Sequence, residues 1–155
     1  MDEMSIAYIG IGSNLGRREE NCFRAVELLK KKGIALVKRS SLYETEPWGM
    51  KGQPRFLNMA IEIETDLRPL QLLKILKNIE KEAGRKKSRR WGPRVLDLDI
   101  LLFDDIIMDE VALKIPHPFM QERAFVLKPL NEIAPDVQHP VLKKSIHELF
   151  RKICQ

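Results

Sequence analysis

Two carboxylates separated by one apolar residue are the first sign of chemistry in this chain. Asp97 and Asp99 interrupt the run from Val95 to Phe103, which is otherwise apolar. Side chains at positions i and i+2 of a strand point to the same face, so these two acids would point together. An ionised carboxylate in an apolar setting needs a cation nearby. The spacing predicts either a site for a divalent cation such as Mg²⁺ or an Asp–Arg network, for example between Asp97 and Arg94.

The segment before the aspartates is strongly basic. Residues 85–94 contain six lysines and arginines and no acid. Arginine presents a planar fork that matches phosphate oxygens, so a clamp for a polyphosphate is one interpretation. A solvated basic turn is the other interpretation. Gly84 and Gly92 near the two ends would permit a hinged closure over a bound ligand.

The distribution of charge argues against a nucleic-acid surface. The net charge is +5 and residues 85–94 contribute +6, so the other 145 residues sum to −1. Binding to a nucleic-acid backbone requires an extended basic face rather than one basic loop. No apolar run approaches the roughly 20 residues of a membrane helix. We therefore expect a cytoplasmic protein with no nucleic-acid or membrane partner, built as one domain over residues 1–155.

Three further segments carry polar residues that need a reason. Gly10-Ile-Gly-Ser-Asn-Leu-Gly16 follows a predicted strand, and a tight turn is favoured over dinucleotide binding because the glycine spacing misses the fingerprint by one residue. Asn58 sits among apolar neighbours, and its amide could recognise the edge of a heteroaromatic ring. His117, six residues before Arg123, is a possible phosphate contact, whereas a structural or solvated role is expected for the two later histidines, His139 and His147.

The apolar periodicity predicts the elements that position these residues. Strands are expected over residues 5–12, 34–43, 55–65 and 95–103, the last of them central and buried in the sheet. Helices are expected over 18–32, from Pro69 to near Gly84, over 119–133 with an end or kink at Pro129, and over 145–153. The order strand–helix–strand–strand–helix–strand predicts an α+β, ferredoxin-like βαββαβ sandwich, with an antiparallel-rich sheet and helices on its faces.

Several separate motifs, in this order, resemble the 6-hydroxymethyl-7,8-dihydropterin pyrophosphokinases of folate biosynthesis. The strongest is Arg90-Trp-Gly-Pro-Arg-Val-Leu-Asp-Leu-Asp99, and the resemblance runs from Tyr8 to about Pro140. Supporting segments are Gly12-Ser-Asn-Leu-Gly16, Tyr43-Glu-Thr-Glu-Pro-Trp-Gly49, Gln53-Pro-Arg-Phe-Leu-Asn58, Gly84-Arg85, Pro116-His-Pro118 and Glu122-Arg-Ala-Phe-Val-Leu127.

The resemblance implies a magnesium-dependent enzyme that transfers diphosphate from ATP to the pterin hydroxymethyl group and releases AMP. It implies that Asp97 and Asp99 hold two Mg²⁺ ions, with Arg85 and Arg94 also catalytic. The pterin would be bound by Thr45, Pro47, Trp48, Phe56, Asn58 and Phe125. ATP would be contacted by Glu80, Arg85, Arg90, Trp91, Arg94, Ile100, His117 and Arg123. A monomer acting on these two small molecules is expected.

Two other functions fit parts of the sequence. A ferredoxin-like RNA-binding module would display aromatic residues on its strands, but this chain has 6% aromatic residues without such clustering. A Rossmann-like oxidoreductase would need parallel βαβ units, which the predicted order lacks.

Overall fold

A five-stranded antiparallel sheet forms the centre of the computed structural model, which describes residues 3–45, 52, 54–84 and 95–154. Its strands are β1 (Ser5–Ser13), β2 (Ala35–Arg39), β3 (Tyr43–Thr45), β4 (Phe56–Thr65) and β5 (Asp97–Phe103). A small separate hairpin follows, with strands β6 (Met108–Asp109) and β7 (Lys114–Ile115). The helices are α1 (Arg18–Lys31), α2 (Pro69–Glu82), α3 (Ala124–Ile133) and α4 (Ile146–Ile153).

The strand order is β2-β4-β1-β5, and β3 pairs with β4 beyond the end of β2. Every pairing in this sheet is antiparallel. Helix α1 connects β1 to β2, and α2 connects β4 to β5, so each connection passes over one intervening strand. This is the split βαβ arrangement, which confirms the predicted ferredoxin-like fold.

Helices cover both faces of the sheet, because each face carries its own apolar set. On β4, Leu57, Met59, Ile61 and Ile63 alternate toward the core shared with α1 and α2, whereas Ala60 belongs to the core on the opposite face. Helices α3 and α4 pack on that second face through Leu127, Leu130, Ile146 and Leu149. Among the described residues, no helix has both the length and the apolar character needed to cross a lipid bilayer.

Strand β5 lies at the edge of this sheet, so the expectation of a central position is wrong. Its apolar character has another cause, because β5 supplies buried residues to both cores. The following segment also protects its outer side. The N–H of His117 donates a hydrogen bond of 3.0 Å to the carbonyl of Leu101. A near-continuous apolar run therefore indicates two covered faces rather than a central strand.

Two other elements differ from the predicted ones. The single strand expected over residues 34–43 is divided after Arg39, where Ser40 Oγ accepts the N–H of Ala60 at 2.9 Å. The helix expected over 119–133 is also divided, into a short 3₁₀ turn (Met120–Glu122) and α3. Pro129 lies inside α3 and does not end it, since the helix continues to Ile133.

Candidate functional site

The two aspartates of β5 share the sheet face that α3 covers only in part. Asp97 and Asp99 are half-buried, while Leu98 and Ile100 between and after them are buried in the core against α1 and α2. On the neighbouring strand, Gly12 pairs with Asp97 and Gly10 pairs with Asp99. The two carboxylates therefore project from β5, and the residues of β1 directly opposite them have no side chains.

The two glycines form the floor of the site. Both belong to the strand predicted over residues 5–12 and lie within β1, and the turn expected for this motif follows Ser13, where Gly16 has a positive φ of 73°. A Cβ atom on Gly12 would lie 2.9 Å from Asn58 Oδ1 and 3.5 Å from Phe56 Cδ1. Glycines at i and i+2 of a strand leave one face open to close approach. The Gly-x-Gly spacing at the end of the predicted strand was the signal for this floor.

Asn58 and Thr45 lie together on the other side of the glycine floor. Asn58 is buried on β4, directly opposite Gly12, and its Nδ2 donates a hydrogen bond of 2.6 Å to Thr45 Oγ1. Thr45 ends β3 and pairs with Phe56, which is half-buried. A fixed amide, a hydroxyl and an aromatic ring thus converge on one edge of the floor.

Glu80 holds the strand that carries the aspartates. Its side chain is 2% exposed, and its Oε2 accepts the N–H of Leu98 at 2.8 Å. Lys77, one turn earlier on α2, places its Nζ 3.6 Å from Glu80 Oε1. The N–H groups on the outer side of an edge strand need a partner from outside the sheet. Glu80 supplies that partner at the residue between Asp97 and Asp99.

His117 and Arg123 lie beside Asp99 at the far end of the carboxylate pair. The Nε2 of His117 is 3.9 Å from Asp99 Oδ1, and its Nδ1 is 2.9 Å from the carbonyl of Pro118. Burial, followed by the nearby Arg123 charge, lowers the pKa of His117. Burial likewise lowers the pKa of Arg123, opposed by the charges of Asp99, Glu122 and Asp97. The Arg123 guanidinium and the carboxylates of Asp97 and Asp99 are therefore close enough to affect one another.

An aromatic ring lies next to this cationic group. The guanidinium carbon of Arg123 is 5.8 Å from the ring centroid of Phe125 and 5.9 Å from that of Phe119. Phe125 is half-buried in the first turn of α3 and packs against the core of that face. Helix α3, with Arg123 at its N-terminal cap, thus brings the Phe125 ring to the sheet face that carries Asp97 and Asp99.

The family model described as 7,8-dihydro-6-hydroxymethylpterin-pyrophosphokinase matches residues 8–135. These residues include every side chain of the candidate site described above. The chain belongs to this pyrophosphokinase family. The family and the fold inferred from the sequence motifs are therefore both confirmed.

Relatives in two bacteria carry the name 2-amino-4-hydroxy-6-hydroxymethyldihydropteridine pyrophosphokinase. The protein of Bacillus subtilis (strain 168) is 50% identical over 135 residues, which cover 86% of this chain and 81% of that protein. The protein of Aquifex aeolicus (strain VF5) is 42% identical over 145 residues, covering 94% of this chain and 90% of that protein. The chain thus matches more than four fifths of the length of both proteins.

Larger proteins contain a similar region. The folic acid synthesis protein fol1 of Schizosaccharomyces pombe is 44% identical over 96% of this chain, which spans only 20% of that protein. A crystal structure of Plasmodium falciparum HPPK-DHPS with pteroate has a TM-score of 0.78 and 19% identity. The match covers 98% of this chain and 43% of that chain. At this identity the structural match supports the fold alone.

Eight of the predicted pyrophosphokinase residues lie on or beside one face of the sheet: Asp97, Asp99, Thr45, Phe56, Asn58, Phe125, His117 and Arg123. Two others lie elsewhere: Ile100 is 2% exposed and packs in the core against α1 and α2, and Glu80, also 2% exposed, lies on α2. Contact of these two with ATP stays a prediction. Six of the predicted site residues lie outside the described residues: Pro47, Trp48, Arg85, Arg90, Trp91 and Arg94.

The carboxylate oxygens of the described residues suit a hard cation that takes its remaining ligands from water or from a substrate. Within residues 3–45, 52, 54–84 and 95–154, no group of three or more His, Cys, Asp or Glu side chains could hold a metal ion. The pair Asp97 and Asp99 offers carboxylate oxygens from one side only. Magnesium is commonly held by one or two carboxylates and completes its shell with water and substrate phosphates. The residues present therefore fit Mg²⁺ bound together with a polyphosphate.

Proposed function

We propose that this chain transfers diphosphate from ATP to the hydroxymethyl oxygen of 6-hydroxymethyl-7,8-dihydropterin, giving AMP and the pterin diphosphate. Its membership of the pyrophosphokinase family, with a match that spans the whole candidate site, is the observation that carries this proposal. The geometry supports it, since one floor lies between a carboxylate pair and a polar-aromatic cluster. A phosphorylated nucleotide and a flat heterocycle would occupy the two sides of that floor.

Asp97 and Asp99 would hold two Mg²⁺ ions against the ATP phosphates. Bound Mg²⁺ neutralises phosphate charge and orients the oxygens, which is most of what phosphoryl transfer requires. The protein's own contribution is positioning. Glu80 fixes the strand between the two aspartates. His117 and Arg123 lie at one end of the pair, where they would contact the phosphates.

The remaining nucleotide contacts are assigned by family resemblance. Arg85 and Arg94 would stabilise the charge that develops during transfer, while Arg90, Trp91, Glu80 and Ile100 would help to hold ATP. Arginine suits this task because its donors match phosphate oxygens in pairs. Arg94→Ala should slow turnover by about a hundredfold or more, the effect typical of losing one preorganised contact to a transition state.

The pterin would lie over the glycine floor. Asn58, held by Thr45, would form hydrogen bonds to its polar edge, and Phe56 and Phe125 would stack on its rings. Pro47 and Trp48 would complete this pocket. Aromatic pairs are favourable in offset or edge-to-face arrangements, and flat ligands gain from such contacts. A fixed amide discriminates strongly, because a ligand without matching groups leaves it unpaired.

A direct assay tests the proposal. The purified chain is mixed with ATP, MgCl₂ and 6-hydroxymethyl-7,8-dihydropterin, and nucleotides are separated by chromatography. We expect AMP and the pterin diphosphate to form in equal amounts. No AMP should form without the pterin, and its formation should stop when EDTA is added. Release of ADP instead of AMP, or no turnover under these conditions, would contradict the proposed reaction.

We further propose that residues 1–155 act as one domain and as a cytoplasmic monomer. All described elements share the two cores of a single sheet, which supports the first point. Light scattering on the eluting protein should give a mass near 18.0 kDa. A mass near twice that value, unchanged on dilution, would contradict the monomer.

A further inference from the structure

A single carboxylate on α3 accepts hydrogen bonds from the first residue of β3 and from the segment just before it. Glu132 accepts the backbone N–H of Ser41 at 3.0 and 3.1 Å and the Ser41 hydroxyl at 3.3 Å. The Tyr43 hydroxyl also donates to Glu132. Burial raises the pKa of Glu132, but these hydrogen bonds outweigh it and leave the pKa below its ordinary value. We call Ser41, Tyr43 and Glu132 the α3–β3 clasp.

The clasp connects β3 and α3, the two elements that carry opposite sides of the proposed pterin pocket. Tyr43 is the cross-strand partner of Asn58, so both side chains project from the same face of the sheet. Thr45, which holds the Asn58 amide, is two residues further along β3. Movement of β3 away from α3 would therefore move the polar edge of the pocket.

Glu132, the acceptor of the clasp, lies on α3, the helix that also carries Phe125. Residues 125, 128 and 132 are spaced three and four apart, so they form one stripe along α3. Lys128 places its Nζ 5.4 Å from the Tyr43 ring centroid, which adds a second contact between this stripe and β3. One stripe of α3 thus carries the proposed stacking ring at its start and the clasp carboxylate near its end.

Apart from its contacts with β4 and α3, strand β3 is held by a partly exposed ion pair of 3.8 Å between Glu44 and Arg18 of α1. The strand is three residues long and pairs only with β4 among the described strands. A short strand at an edge contributes few ladder hydrogen bonds, and edge segments open at low free-energy cost. The contacts of the clasp and of Lys128 are therefore important in setting the distance between β3 and α3.

We propose that Glu132, acting through Tyr43 and Ser41, is a positioning residue that sets the width of the pterin pocket between α3 and β3. This inference rests on the proposed function, because it assumes that the pterin stacks on Phe125 and forms hydrogen bonds to Asn58. The clasp touches no reacting group. Its loss should therefore weaken pterin binding without changing the use of ATP.

Steady-state kinetics of Glu132→Gln and Tyr43→Phe test the clasp. We expect the KM for 6-hydroxymethyl-7,8-dihydropterin to rise about fivefold in each, a size usual for coupling through packed elements. The KM for ATP should stay within about twofold of wild type. The double variant should resemble the more affected single variant, because both changes break the same contact.

Ser145→Ala is the matched control for general destabilisation. Ser145 caps α4 in the same helical layer, where its Oγ accepts the Glu148 N–H at 3.1 Å, and it lies outside the clasp. It should lower the unfolding temperature without changing the pterin KM. If Glu132→Gln fails to fold, Ser41→Ala provides the milder test, because it removes the hydroxyl and keeps the backbone N–H; a smaller rise in pterin KM is then expected.

Three results would overturn the clasp while leaving the proposed function intact. The first is an unchanged pterin KM in both single variants. The second is a rise in the ATP KM equal to the rise in the pterin KM. The third is a rise in the pterin KM of Ser145→Ala as large as that of Glu132→Gln. Wild-type protein that makes no AMP from ATP and the pterin would instead overturn the proposed function, and the clasp with it.

Discussion

Gly12 and Asn58 face each other across β1 and β4 so closely that a Cβ atom on Gly12 would lie 2.9 Å from the Asn58 side-chain oxygen. Real Cβ atoms essentially never approach that distance, so any larger residue at position 12 must displace the amide. Asn58 is also tied to Thr45 Oγ1. The absence of a side chain at position 12 is therefore part of how the amide is placed.

Gly12→Ala should consequently raise the pterin KM by about tenfold, since a small misplacement of a binding group is costly. The ATP KM should change much less. Gly10→Ala is the comparison, because its nearest neighbour is the flexible end of Leu101, at 3.4 Å. Kinetics of both variants provide the measurement, and equal effects of the two substitutions would argue against a special role for the Gly12–Asn58 contact.

Replacing either aspartate of β5 should remove activity without unfolding the protein. Asp97→Asn and Asp99→Asn each remove one carboxylate charge from a half-buried position, and turnover should fall by at least about a hundredfold. AMP release is measured over a range of MgCl₂ concentrations. Asp105→Asn, at an exposed position just after β5, is the control and should keep wild-type activity. Near-normal turnover in both aspartate variants would refute the metal assignment.

Removal of the Glu80 carboxylate should affect both stability and turnover. Glu80→Ala leaves the N–H of Leu98 without its acceptor, and an unsatisfied buried donor costs about 1–3 kcal/mol of unfolding free energy. Because Leu98 lies between Asp97 and Asp99, kcat should fall as well. Denaturant unfolding and AMP release are the two measurements.

Two further variants separate the hydrogen bond of Glu80 from its ion pair. Glu80→Gln retains an acceptor for the N–H of Leu98 and should keep most of the stability. Lys77→Ala removes a partner whose side chain is 55% exposed, and exposed ion pairs contribute little. A larger loss in Lys77→Ala than in Glu80→Ala would show that the ion pair, and not the backbone contact, is the important interaction.

His139 should make the folded protein sensitive to mild acid. It is 5% exposed, and its Nδ1 accepts the N–H groups of Val141 and Leu142 at 3.3 and 3.1 Å. Burial lowers its pKa from the ordinary value of 6.5, so the unfolded chain takes up the proton more readily. Its contribution to stability is present above pH 6.5 and is lost as the pH falls toward the folded pKa.

Unfolding temperatures of wild type and His139→Asn, measured between about pH 7.5 and 5, test this expectation. Asparagine keeps a side-chain acceptor without the titration. The stability of wild type should therefore fall more steeply with acid than that of the variant. Since His117 also has a lowered pKa and is present in both proteins, only the difference between the two curves reports on His139. Parallel curves would contradict the prediction.

Local patterns in the chain were sufficient for several parts of the fold. The period of 3.6 in α1 and α2 and the alternation of β4 predicted these elements nearly to their ends, because side-chain direction along a helix or strand follows from backbone geometry. The same geometry predicted that Asp97 and Asp99 share a face, and their half-burial on β5 agrees. Separate motifs in a fixed order were enough to identify the family.

Other features depend on residues far apart in the chain. The edge position of β5, the glycine floor beneath Asn58 and the contact of Glu80 with Leu98 follow from how strands and helices are paired. The same holds for the contact of Glu132 with Tyr43. No local period encodes which strand lies beside which, since that choice depends on burying both apolar faces at once. Residue types could thus indicate the chemistry, whereas the packing of distant segments established which side chains meet and in what order.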